Sequence, residues 1–569
     1  NFRRAAGKSC GPFNGIFFND SDVSKWLEAA SYALAAAQDD ALEQQVDSVI
    51  DAVAAAQQPD GYLNTYFMFD RASERWTNLQ DMHEIYCAGH LIQAAVAHHR
   101  ATGKKSLLEV AERLAGCLYE VFGPGKREGA CGHEEAEMAL VELYRETRDS
   151  RWLQLAELMI DRRGTGLFGG SAYFQDQAPF THQTQVTGHA VRQMYLCCGA
   201  ADVFAETGRP DYLQSLEALW HNFTTKRMYV TGGAGSRYEG EAFGEDYELP
   251  NDRAYSETCA AIGSVMWNWR MLNITGECRY ADLMEHTLYN AALPGISLDG
   301  RRYFYQNPLS DSGRRRRQEW FGCACCPPNI ARLFASLPGY FYSVSNEGAY
   351  VHLYSSGSAE LELPGGESIR LTQSSDYPWN GSIKLRVGRA PARDLSLFLR
   401  IPGWLGAGQA ELTVRSEGGT ETLSASSGGY CRIERVWRGG DEIRLELPMS
   451  PRLLACHPFV EGNLGRAALQ RGPLIYCIEQ ADHTECDVRI LALDGSAPIT
   501  PRSEPELLNG VTVLECAGAA ACGDRWNDAL YQPAIAAQVE SRRTGLTAIP
   551  YYAWANRTAG AMLVWIPVT

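Results

Sequence analysis

Residues 325–337 read Cys325-Cys326-Pro327-Pro328-Asn329-Ile330-Ala331-Arg332-Leu333-Phe334-Ala335-Ser336-Leu337, and beyond Tyr342 the chain continues to Ala349-Tyr350-Val351-His352-Leu353-Tyr354. Proline suits the first position of a helix, where its missing N–H is no loss and its fixed φ is already helical. Behind the two prolines, Ile330, Leu333, Phe334 and Leu337 recur at the three- and four-residue spacing of one helical face. The later segment has no such period. It is a short run rich in Tyr, Val and Leu, closed by Ser355-Ser356-Gly357, and reads as a strand. A helix-rich unit therefore ends, and a strand-rich unit begins, near Tyr342.

Working upstream, helical periodicity covers residues 23–37, 42–57, 85–100, 106–121, 134–146, 152–162, 187–206, 212–226, 257–272, 280–288 and 327–337. Helices paired by turns can close into a ring, and about six pairs is the natural count for an α/α toroid whose inner loops line a pocket. An open helical array is the alternative. Downstream, residues 349–354, 368–372, 395–401 and 442–447 read as strands of a β-sandwich, and residues 474–479, 488–492 and 562–568 as the clearest strands of a second β region. The expected architecture is multidomain α plus β: a helical unit over residues 1–342, a β-sandwich over 343–450 and a C-terminal β-sandwich over 451–569.

At 569 residues the chain is too long for one core. Its 10% aromatic and 21% charged content is that of an ordinary globular protein, and it has no apolar run of about 18 residues to span a bilayer. A net charge of −16 argues against a nucleic-acid partner, which needs a basic surface, and is compatible with a neutral small-molecule or oligosaccharide substrate. The 17 cysteines are odd in number and lack the spacing of a disulfide framework. At least one thiol is free, so a reducing, cytoplasmic setting is expected.

Adjacent cysteines rarely bond to each other, because disulfide geometry fits poorly onto one peptide unit. Upstream of Cys325 and Cys326, Glu257-Thr258-Cys259 follows Ser256, a residue type that caps helices, and opens the apolar run 260–272. Three thiols and a carboxylate at two helix N-termini make a sensible ligand set for zinc, and the partial positive charge there favours thiolate over thiol. Two plainer readings stand beside this one. The cysteines are small buried residues, as Cys197 and Cys198 are expected to be, or the zinc site is closed and structural. Glu241, Glu245 and Asp246 crowd one acidic loop, and any of them could face a thiolate as a general acid; composition does not rank them. His83, His133 and His189 each lie just before, or at the start of, an apolar helix. Helix starts sharing one rim of a toroid bring such imidazoles into one pocket, where they can bond sugar hydroxyls. The run Arg314-Arg315-Arg316-Arg317 reads as a solvated or ion-paired loop.

Asp20-Ser21-Asp22-Val23-Ser24-Lys25-Trp26-Leu27-Glu28-Ala29, Gly240-Glu241-Ala242-Phe243, Asn251-Asp252, Glu257-Thr258-Cys259, the segment 320–329 and Gln470-Arg471-Gly472-Pro473-Leu474 carry a further signal. Together they resemble glycoside hydrolase family 127, the zinc-dependent β-L-arabinofuranosidases, over essentially the whole chain. The resemblance implies an (α/α)6 barrel followed by β-sandwich domains, and zinc held by Glu257, Cys259, Cys325 and Cys326. It also implies Cys325 as nucleophile, Glu241 as acid/base, and His83, His133, His189 and Tyr305 as sugar contacts. A retaining double displacement follows, in which a thiolate replaces one of the two carboxyl groups usually found about 5 to 5.5 Å apart. The released sugar is expected to be terminal β-L-arabinofuranose. An acidic branched pentose, or glycan binding with a purely structural zinc, are the alternatives. Family members carry further residues before the position of Asn1, and by analogy the β domains are expected to form a homodimer.

Overall fold

The computed structural model describes residues 1–521, 530–531 and 541–569. Its helices are α1 (Phe2–Ala5), α2 (Asp20–Ala36), α3 (Asp40–Ala56), α4 (Glu84–Thr102), α5 (Ser106–Phe122), α6 (Ala136–Thr147), α7 (Ser150–Asp161), α8 (Ala190–Thr207), α9 (Pro210–Asn222), α10 (Thr258–Thr275), α11 (Cys278–Thr287) and α12 (Cys326–Ser336). Each helical stretch read from the sequence is present within a few residues of its expected ends.

The even-numbered helices pack in order, α2 on α4, α4 on α6, α6 on α8, α8 on α10 and α10 on α12, and α12 returns to pack on α2. Helices α5, α7 and α11 lie against α4, α6 and α10. Burial patterns explain the division. Helix α4 is buried from Glu84 through His98 on all sides, as an inner helix must be. Helix α5 instead buries one stripe, including Leu107, Ala111, Leu114, Leu118 and Phe122, and turns its charged residues outward. Inner neighbours approach closely where glycine permits. A Cβ at Gly89 would lie 2.8 Å from the backbone nitrogen of Ala136, and one at Gly263 would lie 2.8 Å from Met194 Cβ.

Arg332 of α12 knots the inner helices together. Its guanidinium donates to Asn329 at 2.6 Å, to Gln93 of α4 at 2.7 Å, to the Tyr195 hydroxyl of α8 at 2.9 Å and to Glu28 of α2 at 3.1 Å. A buried charge is tolerated when its donors are this fully occupied.

Beyond the helices, a 4-stranded sheet runs Gly429–Val436, Asp394–Ile401, Gly348–Val351, Tyr342–Val344, and a 6-stranded sheet runs Gly357–Glu362, Ser368–Ser375, Ser382–Arg389, Glu442–Glu446, Gln409–Ser416, Gly419–Ser426. Alternate residues of both, among them Val351, Leu397 and Leu399 with Leu371, Leu385 and Ile443, share one apolar core. The remaining strands form a 10-stranded sheet. One of them, Ser310–Ser312, comes from the helical part of the chain and pairs antiparallel with Ala561–Leu563. Tyr229, Ala254, Phe304 and Leu309 also enter the apolar core of this sheet beside Val513, Tyr551 and Trp565. The loops leading into α10 and α12 are thereby anchored on the C-terminal part of the chain.

Several local expectations are corrected. Ser256 is not a cap: it has φ of 39°, and Glu257 occupies the N-cap position of α10. Within residues 488–492, Asp487 Oδ1 accepts the Arg489 N–H at 2.9 Å and winds Val488–Ile490 into a 3-10 turn, leaving Leu491–Leu493 as the strand. Residues 562–568 are two strands, Ala561–Leu563 paired with Leu474–Glu479 and Trp565–Pro567 paired with Arg466–Arg471. The change of partner falls at Val564, whose N–H donates to Leu309 instead. Arg317 is not solvated; it is buried and donates to the carbonyls of Pro294 and Trp554. No described helix is long and apolar enough to cross a membrane.

Candidate active site

The N-terminal ends of the inner helices open on one cavity of about 320 Å³, where Phe18, His83, His133, His189, Glu257 and Cys325 contribute to the wall. His83, His189, Glu257 and Cys325 are the N-cap residues of α4, α8, α10 and α12, and none uses its side chain to cap its own helix. They turn toward the cavity instead. Convergent helix N-termini place partial positive charge there, which favours anionic side chains. Three of the residues around the site sit at left-handed backbone angles, His83 with φ of 56°, Glu241 with 53° and Ser256 with 39°. Backbone strain of this kind is maintained only where surrounding structure enforces it.

Glu257, Cys259, Cys325 and Cys326 present donor atoms that all lie within 4.8 Å of one another. Cys259 Sγ is 3.3 Å from Cys326 Sγ and 3.7 Å from Cys325 Sγ, and the two neighbouring sulfurs are 3.8 Å apart. Cys325 Sγ is 3.9 Å from Glu257 Oε1 and 3.2 Å from the Tyr305 hydroxyl. The four groups cannot all carry their charge unaided. Burial first, and then the negative charge of Glu241 and Cys325, push the Glu257 carboxyl well above its ordinary range. Burial and the neighbouring sulfurs push Cys326 up likewise. Burial also opposes ionisation of Cys259, yet hydrogen bonds from Cys325 and Cys326 outweigh it and bring that thiol down to about 6.

This donor set fits zinc. Sulfurs about 2.3 Å from a tetrahedral centre lie about 3.8 Å from one another, close to the spacings above, and a cation balances the mutual repulsion of the donors. Glu257 Oε2, buried and without a hydrogen-bond partner, is a donor with nothing else to serve.

Glu241 faces this cluster. Its Oε2 is 3.2 Å from His189 Nε2, and Glu241, His189 and Glu257 likewise bring their donor atoms within 4.8 Å of one another. Burial raises the Glu241 carboxyl, but the bond to His189 prevails and holds it below the ordinary range. The sequence could not rank Glu241 against Glu245 and Asp246; the structure separates them. Asp246 is occupied by Lys226 at 2.7 Å and Arg227 at 2.9 Å, and Glu245 is 79% exposed. The three histidines do meet, with His133 ring centroids 5.5 Å from both His83 and His189. Burial, reinforced by the Arg192 charge, lowers His83 to about 3 and His133 well below its ordinary value, so both are neutral imidazoles.

Residues 1–339 match the family described as β-L-arabinofuranosidase, GH127 catalytic domain, residues 348–449 match the GH127 middle domain, and residues 451–567 match the glycoside hydrolase family 127 C-terminal domain. The chain belongs to glycoside hydrolase family 127. It is 38% identical over 611 aligned positions, 99% of this chain and 91% of the relative, to a non-reducing end β-L-arabinofuranosidase of Bifidobacterium longum subsp. longum. Its structure is similar to that of a GH127 β-L-arabinofuranosidase from Geobacillus stearothermophilus T6, with a TM-score of 0.94, 41% identity and coverage of 100% of this chain and 93% of the other. A second GH127 β-arabinofuranosidase structure superimposes with a TM-score of 0.92, 40% identity and coverage of 100% and 91%.

The family 127 cavity also holds residues that the sequence alone did not single out, among them Arg192, Tyr173, Tyr195 and Tyr238. Arg192 stands one helical turn after His189 on α8, a spacing that could have placed both on one face. Its guanidinium lies over the rings of Tyr173 and Phe174 at 4.7 and 4.8 Å, and its buried Nε and Nη1 have no hydrogen-bond partner.

Proposed function

We propose that this chain is a retaining exo-glycosidase that releases terminal β-L-arabinofuranose from plant-derived glycans or glycopeptide sugars, with Cys325 as nucleophile and Glu241 as acid/base. The observation that carries the reading is the Cys325 thiol, on the wall of a sugar-sized cavity that it shares with Glu241, the only described carboxyl group there besides the ligand Glu257. The activities named for the similar proteins support the same sugar.

Glu257, Cys259, Cys325 and Cys326 would hold a zinc ion, which supplies the positive charge that lets the thiols ionise in a buried site. Neutral His83 and His133, with His189, bond the hydroxyls of the furanose and fix its anomeric carbon near the Cys325 sulfur. Tyr305, 3.2 Å from that sulfur, orients it. In the free site His189 keeps Glu241 ionised; a sugar entering the cavity covers the 35% of that side chain exposed to water, and the desolvated carboxylate takes up a proton from solvent as the sugar binds. Glu241 then protonates the glycosidic oxygen as Cys325 displaces it from C1. In the second half Glu241, now a carboxylate, takes a proton from water as that water attacks C1 and frees the thiolate.

The same reading extends to architecture. The closed order of even-numbered helices supports an (α/α)6 barrel over residues 1–342. The core shared by the 4- and 6-stranded sheets supports a β-sandwich over 343–450, and the strands of the 10-stranded sheet from Arg452 onward a C-terminal β-sandwich over 451–569. The described cysteines are all free thiols, which fits a cytoplasmic setting.

A nitrophenyl β-L-arabinofuranoside tests the proposal: the wild-type chain should hydrolyse it, Glu241→Gln should lose about 10² to 10⁴ in kcat, and Cys325→Ser should be inactive with its fold retained. Unaltered turnover in either variant contradicts the assignment. Arg192 Nε and Nη1, buried and without a hydrogen-bond partner, favour a second reading, in which the furanose carries a carboxylate. A panel of neutral and acidic nitrophenyl furanosides separates the two.

A further inference from the structure

We infer that a cleft beside the catalytic cavity binds the leaving-group side of the substrate, the neutral sugar residues to which the terminal furanose is joined. The inference rests on the glycosidase reading above.

The segment 236–241 borders two adjoining spaces. Tyr238, Gly240 and Glu241 face the catalytic cavity, while Ser236, Arg237, Tyr238 and Glu239 form one wall of a cleft of about 790 Å³. Tyr238 belongs to both. The segment is held in place by backbone pairing: Ser236 and Arg237 N–H groups donate to the Ala242 carbonyl at 3.0 Å, and Ala242 N–H donates back to Arg237 at 3.1 Å. Gly240 permits the tight approach, since a Cβ there would lie 2.9 Å from the Tyr173 ring.

Chemistry gives the cleft its direction. A general acid protonates the oxygen between the sugar and the leaving group, so the leaving group lies on the acid's side of the ring. Here the acid is Glu241, and this cleft adjoins its loop and shares Tyr238 with the cavity. The catalytic cavity, at about 320 Å³, has room for the terminal sugar, while the cleft is of a size that holds a longer ligand.

The lining disfavours an anionic ligand. Arg237 is paired with Glu248 at 2.8 Å and Arg253 with Glu239 at 3.3 Å, so the cationic groups on this wall are matched, while Asp252 and Glu461 add negative charge. The opposite wall comes from the C-terminal part of the chain and includes Phe459, Arg466 and Trp565. Phe459 is 69% exposed, and its ring stands 5.4 Å from Tyr247, which is stacked on His457 at 4.4 Å. An aromatic face held rigidly and open to solvent is the surface on which the apolar face of a sugar ring packs.

The test compares two substrates of the full-length enzyme. One is the nitrophenyl β-L-arabinofuranoside, whose leaving group is a single ring. The other is an oligosaccharide ending in β-L-arabinofuranose. Phe459→Ala should lower kcat/KM for the oligosaccharide about tenfold relative to that for the aryl glycoside, and Phe459→Tyr should restore most of the loss. A ratio equal to that of the wild type, whether both values fall or neither does, overturns the cleft assignment while leaving the glycosidase reading intact. A wild-type chain inert toward both substrates overturns that reading and the cleft with it.

Discussion

His83 and His133 illustrate how single residues are tuned by position. Burial comes first, and the nearby Arg192 charge second, in lowering both pKa values, His83 to about 3 against an ordinary 6.5. The folded chain therefore keeps these imidazoles neutral, while the unfolded chain takes up protons below about pH 6.5. Their contribution to stability is complete above that pH and is lost as the pH falls below it, for His83 toward about 3. Thermal unfolding measured across this range should show His83→Gln with a shallower acid-side loss of stability than the wild type; an identical slope contradicts the assignment. The three histidines were legible in the sequence because each precedes an apolar helix. Arg192 was not, because one arginine on a mostly apolar helix reads as a polar residue of no stated direction, and only the folded packing shows its Nε and Nη1 buried without a hydrogen-bond partner.

At the scale of the element, two helix N-termini carry the whole thiol set, Glu257 and Cys259 on α10, Cys325 and Cys326 on α12. Proline after Cys326 and the apolar run after Cys259 made both starts visible from sequence. The cap of α10 was misplaced by one residue, because Ser256 is a good capping type yet is held at φ of 39°, where it cannot cap. Strand limits were less legible than helix limits. The turn at Val488–Ile490 depends on a side chain, Asp487, accepting a backbone N–H, and the break at Val564 depends on a partner from a distant loop. Because the donors crowd negative charge between α10 and α12, the metal is expected to be integral to this junction. Elemental analysis of freshly purified, reduced protein should find about one zinc per chain, and removing it with a strong chelator should lower the melting temperature. Metal-free protein with unchanged stability and activity contradicts this.

For the whole molecule, the helical ring supplies the thiols and imidazoles while the C-terminal sheet supports the loops that carry Glu241 and lead into α10. Strand Ser310–Ser312 and the core around Tyr229 and Leu309 make that support physical. The passage from helices to strands near Tyr342 was legible because periodicity changes there. The docking of helical-region loops on a sheet more than two hundred residues downstream was not, since it is a long-range pairing with no local pattern. What the proposed mechanism asks of this assembly is to hold one sulfur against one anomeric carbon, with a carboxyl group on the other side of the bond. The most direct test is peptide mass spectrometry of the protein quenched during turnover of an activated β-L-arabinofuranoside. The peptide bearing Cys325 should carry one added pentosyl residue, absent in Cys325→Ser. A sugar adduct on Glu241, or on any residue other than Cys325, would contradict the account.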